Sequence, residues 1–82
     1  MTQEEVLQTL SRILADLLAD DTVALRMDTT RADVPGWDSF IYVNFIAATE
    51  MQLGIRFRVA DIESFANVGE IVNASLKQLG AK

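Results

Sequence analysis

Few side chains in this sequence can do covalent chemistry. It has no cysteine and no histidine, which removes thiolates as nucleophiles or metal ligands and imidazole as a general base. The hydroxyl that stands out is Ser39 in "PGWDSF", residues 35–40. A proline–glycine turn signal precedes it, and the densest apolar run of the chain follows. A serine nucleophile needs a base and oxyanion donors. The only lysines, Lys77 and Lys82, lie at the far C-terminal end, so a Ser–Lys pair is not expected and no catalytic residue is assigned. Two roles are left for Ser39. It can cap a helix, as Asp–Ser pairs at helix starts commonly do. Alternatively it can accept a group attached by another enzyme, because an exposed helix N-terminus tolerates a phosphodiester placed there.

Other candidate sites are weaker. Asp16, Asp20 and Asp21 lack the spacing of a calcium loop and read as a solvated helix end. Arg56 and Arg58 flank Phe57, but two arginines on a chain of net charge −5 and pI about 4.4 do not make a nucleic-acid footprint. An acidic surface favours partners with basic patches. No apolar run reaches membrane-span length, and Met1-Thr2-Gln3-Glu4-Glu5 lacks the basic start of a signal peptide. A soluble, cytoplasmic protein with no metal, no membrane span and no nucleic-acid partner is the expectation.

The elements that must position Ser39 follow from periodicity. With 82 residues, half of them hydrophobic, one small densely packed domain spanning 1–82 is expected. Val6, Leu10, Ile13 and Leu17, with Leu7, Leu14 and Leu18 beside them, mark a helix over residues 3–19. Thr2 and Glu5 read as its capping box, and Asp20-Asp21-Thr22 as its stop. Residues 20–38 are a long connection pinned by Val23, Leu25, Met27 and Val34; a loop of this length points to function. A second helix starts at Asp38 or Ser39 and runs to Leu53, with Gly54 at its C-terminal end. "IRFRV" alternates like a strand but has no partner strand, so it is read as an extended connector burying Ile55 and Phe57. A short third helix over 61–66 and a fourth over 68–79 complete the chain. Asn67 and Glu70 cap the fourth helix, Val68, Ile71, Val72, Ser75, Leu76 and Leu79 form its inner face, and Gly80 ends it. The fold class is all-α: a four-helix bundle with a long first loop and a short third helix.

At this point the chain resembles the acyl carrier proteins, a family of phosphopantetheine-attachment domains. The resemblance runs through the amphipathic first helix, the long loop, "GWDSF", then "VNFIAATEMQLGIRF" and "DIESFANVGEIVNASLKQL". It implies a carrier and not an enzyme. Ser39 would take a 4′-phosphopantetheine arm from coenzyme A through a phosphopantetheinyl transferase, and Asp38 would serve transferase recognition. Acyl groups would travel as thioesters on the arm, for fatty acid, specialised lipid or polyketide synthesis. Partners would be the transferase and acyl-loading and acyl-processing enzymes, with the carrier itself a monomer. A peptidyl or aminoacyl carrier, or an unmodified helical adaptor, are the other readings of the same residues.

The second helix departs from the family's acidic pattern. Phe40 stands where leucine is usual, and Glu50 is its only acid. Helical spacing places Ile41, Asn44, Ala48 and Met51 toward solvent, and Phe45, Ile46 and Leu53 in the core. Phe40, Ile41, Tyr42 and Val43 cannot all be buried, since consecutive residues point in different directions. An apolar partner surface is therefore expected, built from Phe40, Ile41, Val43, Asn44, Ala47, Glu50 and Met51. Small Ala47 and Ala48 read as close helix contact on an inner face.

Overall fold

The structure, a computed structural model, describes residues 1–80. Its first helix, α1 (Gln3–Leu18), starts as the sequence specifies. The Thr2 N–H donates to the Glu5 carboxylate (2.9 Å), and the Glu5 N–H donates to the Thr2 hydroxyl (3.1 Å). Donation from the Thr2 N–H, and next from the Thr2 hydroxyl, holds the Glu5 carboxyl below its ordinary pKa. The stop differs from expectation. Ala19 itself takes the left-handed conformation (φ 52°), and its N–H and that of Asp20 close onto the last-turn carbonyls of Asp16 and Ala15. The aspartates beyond it lie outside the helix. Asp20 instead accepts from the Thr22 hydroxyl and N–H (2.6 and 2.9 Å), which lowers its pKa.

The first helix packs on the two other long helices, α2 (Ser39–Leu53) and α4 (Val68–Gly80). The core is Val6, Leu10, Ile13 and Leu14 of α1, Phe45 and Ile46 of α2, and Val68, Ile71 and Val72 of α4, closed by Leu25, Trp37, Ile55 and Phe57. Two hydroxyls are fully buried. Thr49 donates to the Phe45 carbonyl and Ser75 to the Ile71 carbonyl, both at 2.8 Å, so neither carries a desolvation penalty. The short helix α3 (Val59–Ser64) begins two residues earlier than 61–66, because Val59 turns outward as its first residue instead of ending the connector. In α4, Gly80 is the last helical residue rather than a stop beyond it.

The connector is extended, and among the described residues no strand forms. Ile55 and Phe57 are buried while Arg56 and Arg58 face out. Side chains satisfy its backbone in place of a partner strand. Gln78 clamps Arg56, accepting from its N–H (3.1 Å) and donating to its carbonyl (2.7 Å), and the Glu50 carboxylate accepts from the Phe57 N–H (2.7 Å).

The long loop is held at two points. The Leu25 N–H donates to Ser11 Oγ (3.0 Å), whose hydroxyl in turn donates to the Leu7 carbonyl (2.9 Å). Further on, the N–H groups of Val68 and Gly69 at the start of α4 donate to the carbonyls of Thr29 (2.8 Å) and Met27 (2.7 Å). Helix N-termini leave such N–H groups without intrahelical partners; here the loop supplies them. The close approach requires glycine: a Cβ on Gly69 would lie 2.6 Å from the Met27 carbonyl oxygen. A single 3₁₀ turn, Arg31–Asp33, follows; nothing in the loop's composition announced it. Gly69→Ala should therefore destabilise the fold by about 1–3 kcal/mol in urea denaturation. Gly80→Ala, where nothing lies within 4 Å of the added atom, should leave stability level or slightly raised.

Candidate functional site

Ser39 is placed by the turn before it. Val34-Pro35-Gly36-Trp37 closes with the Trp37 N–H donating to the Val34 carbonyl (3.2 Å), and Gly36 sits at φ 86°. Proline followed by a residue at positive φ is the pattern of a type II turn. It drives Trp37 into the core, 6% exposed, edge-on to Phe45 at 5.1 Å and tilted on Tyr42 at 6.3 Å between ring centres. The next residue, Asp38, is then at the helix boundary in extended conformation. Its carboxylate accepts from the Ile41 N–H (2.9 Å). Asp38 is thus the cap, and Ser39 is the first residue inside α2.

That assignment decides what Ser39 is free to do. The chain has four serines. Ser11, Ser64 and Ser75 each donate to a backbone carbonyl. Ser39 is exposed, and among the described residues its hydroxyl has no hydrogen-bond partner. No base attends it either: Lys77 is in the last turn of α4 beside Arg56 and Arg58, and Lys82 lies outside the described residues.

Ser39 borders a groove of about 310 Å³, shared with Arg31, Tyr42, Val43, Ile62, Glu63 and Phe65. A second cavity of about 250 Å³, between the loop, α2 and the start of α4, shares Arg31, Tyr42 and Phe65 with it. Tyr42 ties the wall together. Its hydroxyl donates to the Ile62 carbonyl (2.6 Å), and the Arg31 guanidinium lies 4.6 Å above its ring. Burial pushes the Tyr42 phenol above its usual pKa, the Arg31 charge pulling weakly the other way. Sequence reasoning did not find Arg31. It sits in a loop, and only its contact with Tyr42 brings it to Ser39.

Among the expected partner-surface residues of α2, Phe40, Val43 and Met51 are 75%, 64% and 84% exposed, and Asn44 and Ala47 are exposed beside them. Ile41 is half-buried. Glu50 is half-buried too, with one carboxylate oxygen committed to Phe57. Of the expected solvent face, Ile41, Asn44, Ala48 and Met51, the second and fourth are exposed and the other two are not. Ile41 and Ala48 pack against the core, while Val43 and Ala47 face out. Ala47 is therefore not an inner-face contact; Ala48 is. Tyr42, Phe45, Ile46, Thr49 and Leu53 point inward. The aspartates at the end of α1 are exposed, and no acidic cluster able to hold a metal occurs among the described residues. No described helix is long and apolar enough to cross a membrane.

Fold and site together define a four-helix bundle with an exposed serine at the start of its second helix. The sequence is 28% identical over 79 residues to an acyl carrier protein of Thermotoga maritima, covering 96% of this chain and 98% of that one. The solution structure of a holo acyl carrier protein from Geobacter metallireducens superposes with a TM-score of 0.84 at 28% identity, covering 93% of this chain and 87% of that one. No family model matches the sequence. In sequence and in fold alike the chain resembles the acyl carrier proteins over most of its length, and these relatives are carriers, not enzymes.

Two outcomes are expected from this geometry. Asp38→Ala should cost about 1 kcal/mol through loss of the cap, whereas Ser39→Ala should stay within roughly 0.5 kcal/mol; paired thermal melts check both. Tyr42→Phe should cost about 0.5–1.5 kcal/mol by leaving the Ile62 carbonyl without its donor. Because the folded phenol's pKa is raised, the stability it adds is fully present below the unfolded value near ~10 and is lost as pH rises through the folded value. Alkaline titration of stability should show that loss in the wild type and not in Tyr42→Phe.

Proposed function

We propose that the protein is an acyl carrier, a single carrier domain over 1–82, with Ser39 as the attachment point for 4′-phosphopantetheine taken from coenzyme A by a phosphopantetheinyl transferase. One observation carries this reading: Ser39 is exposed at the start of α2 with an unspent hydroxyl, while Asp38 does the capping. A serine kept for structure would show the backbone bond that the other three make. The residues fit the group. The hydroxyl opens onto a groove that can receive the first part of an arm, and the α2 N-terminus favours a negative ester beside it. Once attached, the arm's thiol supplies the thioester link to acyl cargo. The chain's own part is to present Ser39 rigidly and to be recognised. It works as a monomer in the cytoplasm, in fatty acid, specialised lipid or polyketide synthesis.

Recognition falls to Asp38 and to the exposed face of α2, chiefly Phe40, Val43, Ala47 and Met51 with Asn44 among them. Ile41 contributes its exposed edge. Glu50 contributes shape more than charge, since it is tied to Phe57. A contiguous apolar strip of this kind suits transferase and acyl-processing partners that offer an apolar groove.

The test is intact mass after incubation with coenzyme A and a broad-specificity transferase. The wild type should gain one phosphopantetheine, and Ser39→Ala, folded to the same stability, should gain none; an unmodified wild type would overturn the assignment. Val43→Glu and Met51→Glu should each slow the transfer several-fold, and the wild-type rate should depend only weakly on salt. A steep salt dependence would show that charge, not the apolar strip, makes the contact.

A further inference from the structure

We infer that Arg31 is the residue that holds the phosphodiester of the arm on Ser39; this rests on the carrier reading above. The groove that Ser39 borders has one cation in its wall, Arg31, and one carboxylate, Glu63. The residue before Ser39 adds a second carboxylate, Asp38. A phosphodiester on Ser39 would share the groove with the Glu63 carboxylate and follow Asp38 in the chain, with Arg31 the only cation in the groove wall to balance that charge. Among the described residues Arg31 makes no ion pair, with Glu63 or with any other carboxylate; the single ion pair is Arg26 with Asp28, 3.7 Å apart on the surface.

How Arg31 is held matters as much as its charge. Its guanidinium lies over the Tyr42 ring, 4.6 Å from the ring centre, and Tyr42 is fixed by its bond to the Ile62 carbonyl. Cation–π attraction positions the guanidinium there without using its N–H donors, which make no hydrogen bond among the described residues. Those donors match two oxygens of a phosphate, a fit that lysine cannot reproduce. The loop supports the placement. Arg31 opens the 3₁₀ turn, and the Thr30 N–H before it donates to the Asp33 carboxylate (2.9 Å). A carboxylate on the cargo is the other anion the arm could bring. It would sit at the far end of the arm, whereas the phosphate is bonded to Ser39 at the groove's edge.

The experiment uses the wild type, Arg31→Gln and Arg31→Lys, each converted to the holo form with conversion checked by mass. The melting temperature of holo minus that of apo is measured at low and high salt, with the ³¹P chemical shift of the holo form. The wild type should gain roughly 2–5 °C on conversion at low salt, the size expected of an exposed ion pair in a domain this small. High salt should shrink the gain. Arg31→Gln should lose it and move the ³¹P resonance, and Arg31→Lys should keep part of it. Taking the difference within each variant cancels any loss of packing on Tyr42. Equal increments and an unmoved ³¹P resonance in wild type and Arg31→Gln would overturn the role of Arg31 and leave the carrier reading standing. A wild type that takes up no arm would overturn both.

Discussion

Burial of one indole ring sets the geometry around Ser39. Trp37 follows a proline–glycine turn and precedes the cap of α2, so where its ring packs sets the cap at the next residue and the helix start at Ser39. The ring seats against Phe45 and Tyr42. Burying a side chain this large is among the larger favourable terms available to a small domain. With the ring seated, Asp38 reaches back to the Ile41 N–H and Ser39 is turned out with nothing to bond. The exposed hydroxyl is thus a consequence of core packing and does not depend on polar contacts of its own.

The loop before the turn carries the same logic further. A long connection loses conformational entropy when it is ordered, and this one is held by bonds that other elements need anyway. The first N–H groups of α4 require acceptors, and the carbonyls of Met27 and Thr29 provide them. Glycine at position 69 lets the two backbones approach. The same attachment brings the 3₁₀ turn, and with it Arg31, over Tyr42. A helix terminus on one side of the bundle therefore fixes a cation on the wall of the Ser39 groove.

Much of this was legible in the sequence, for physical reasons that also mark where legibility ended. The first and last long helices have apolar stripes of helical period, so their inner faces were read residue by residue. The Thr2–Glu5 box was specific enough to fix the start of α1. In α2 the apolar residues occur on every side, which leaves no stripe to give the phase. Asn44 and Met51 face solvent as the spacing indicates, but Ile41 and Ala48 do not; Val43 and Ala47 stand there instead. Asp38 and Ser39 are both good caps, so composition could not choose between them; the choice came from the turn geometry. The third helix is too short for periodicity, and its start shifted by two residues. Arg31 was invisible because its neighbour across the groove is eleven residues away in sequence and is reached only through the fold.

The placement of charge then bears on how such a protein meets its partners. Its net charge of −5 is carried at the ends of α1, along the loop, on α3 and at the start of α4. It is almost absent from α2, whose one acid is tied to the Phe57 N–H. Charge and the exposed apolar face are therefore on different parts of the surface. On the proposed reading the contact falls on the exposed Phe40, Val43, Ala47 and Met51, where charge would contribute little and shape much. A partner chosen by shape at this face must match the α2 strip closely, because these side chains are short or stiff apart from Met51, and only Met51 can adapt. An α2 that is apolar all round cannot bury every face in a domain of this size, and the face left over lies on the same helix that presents Ser39.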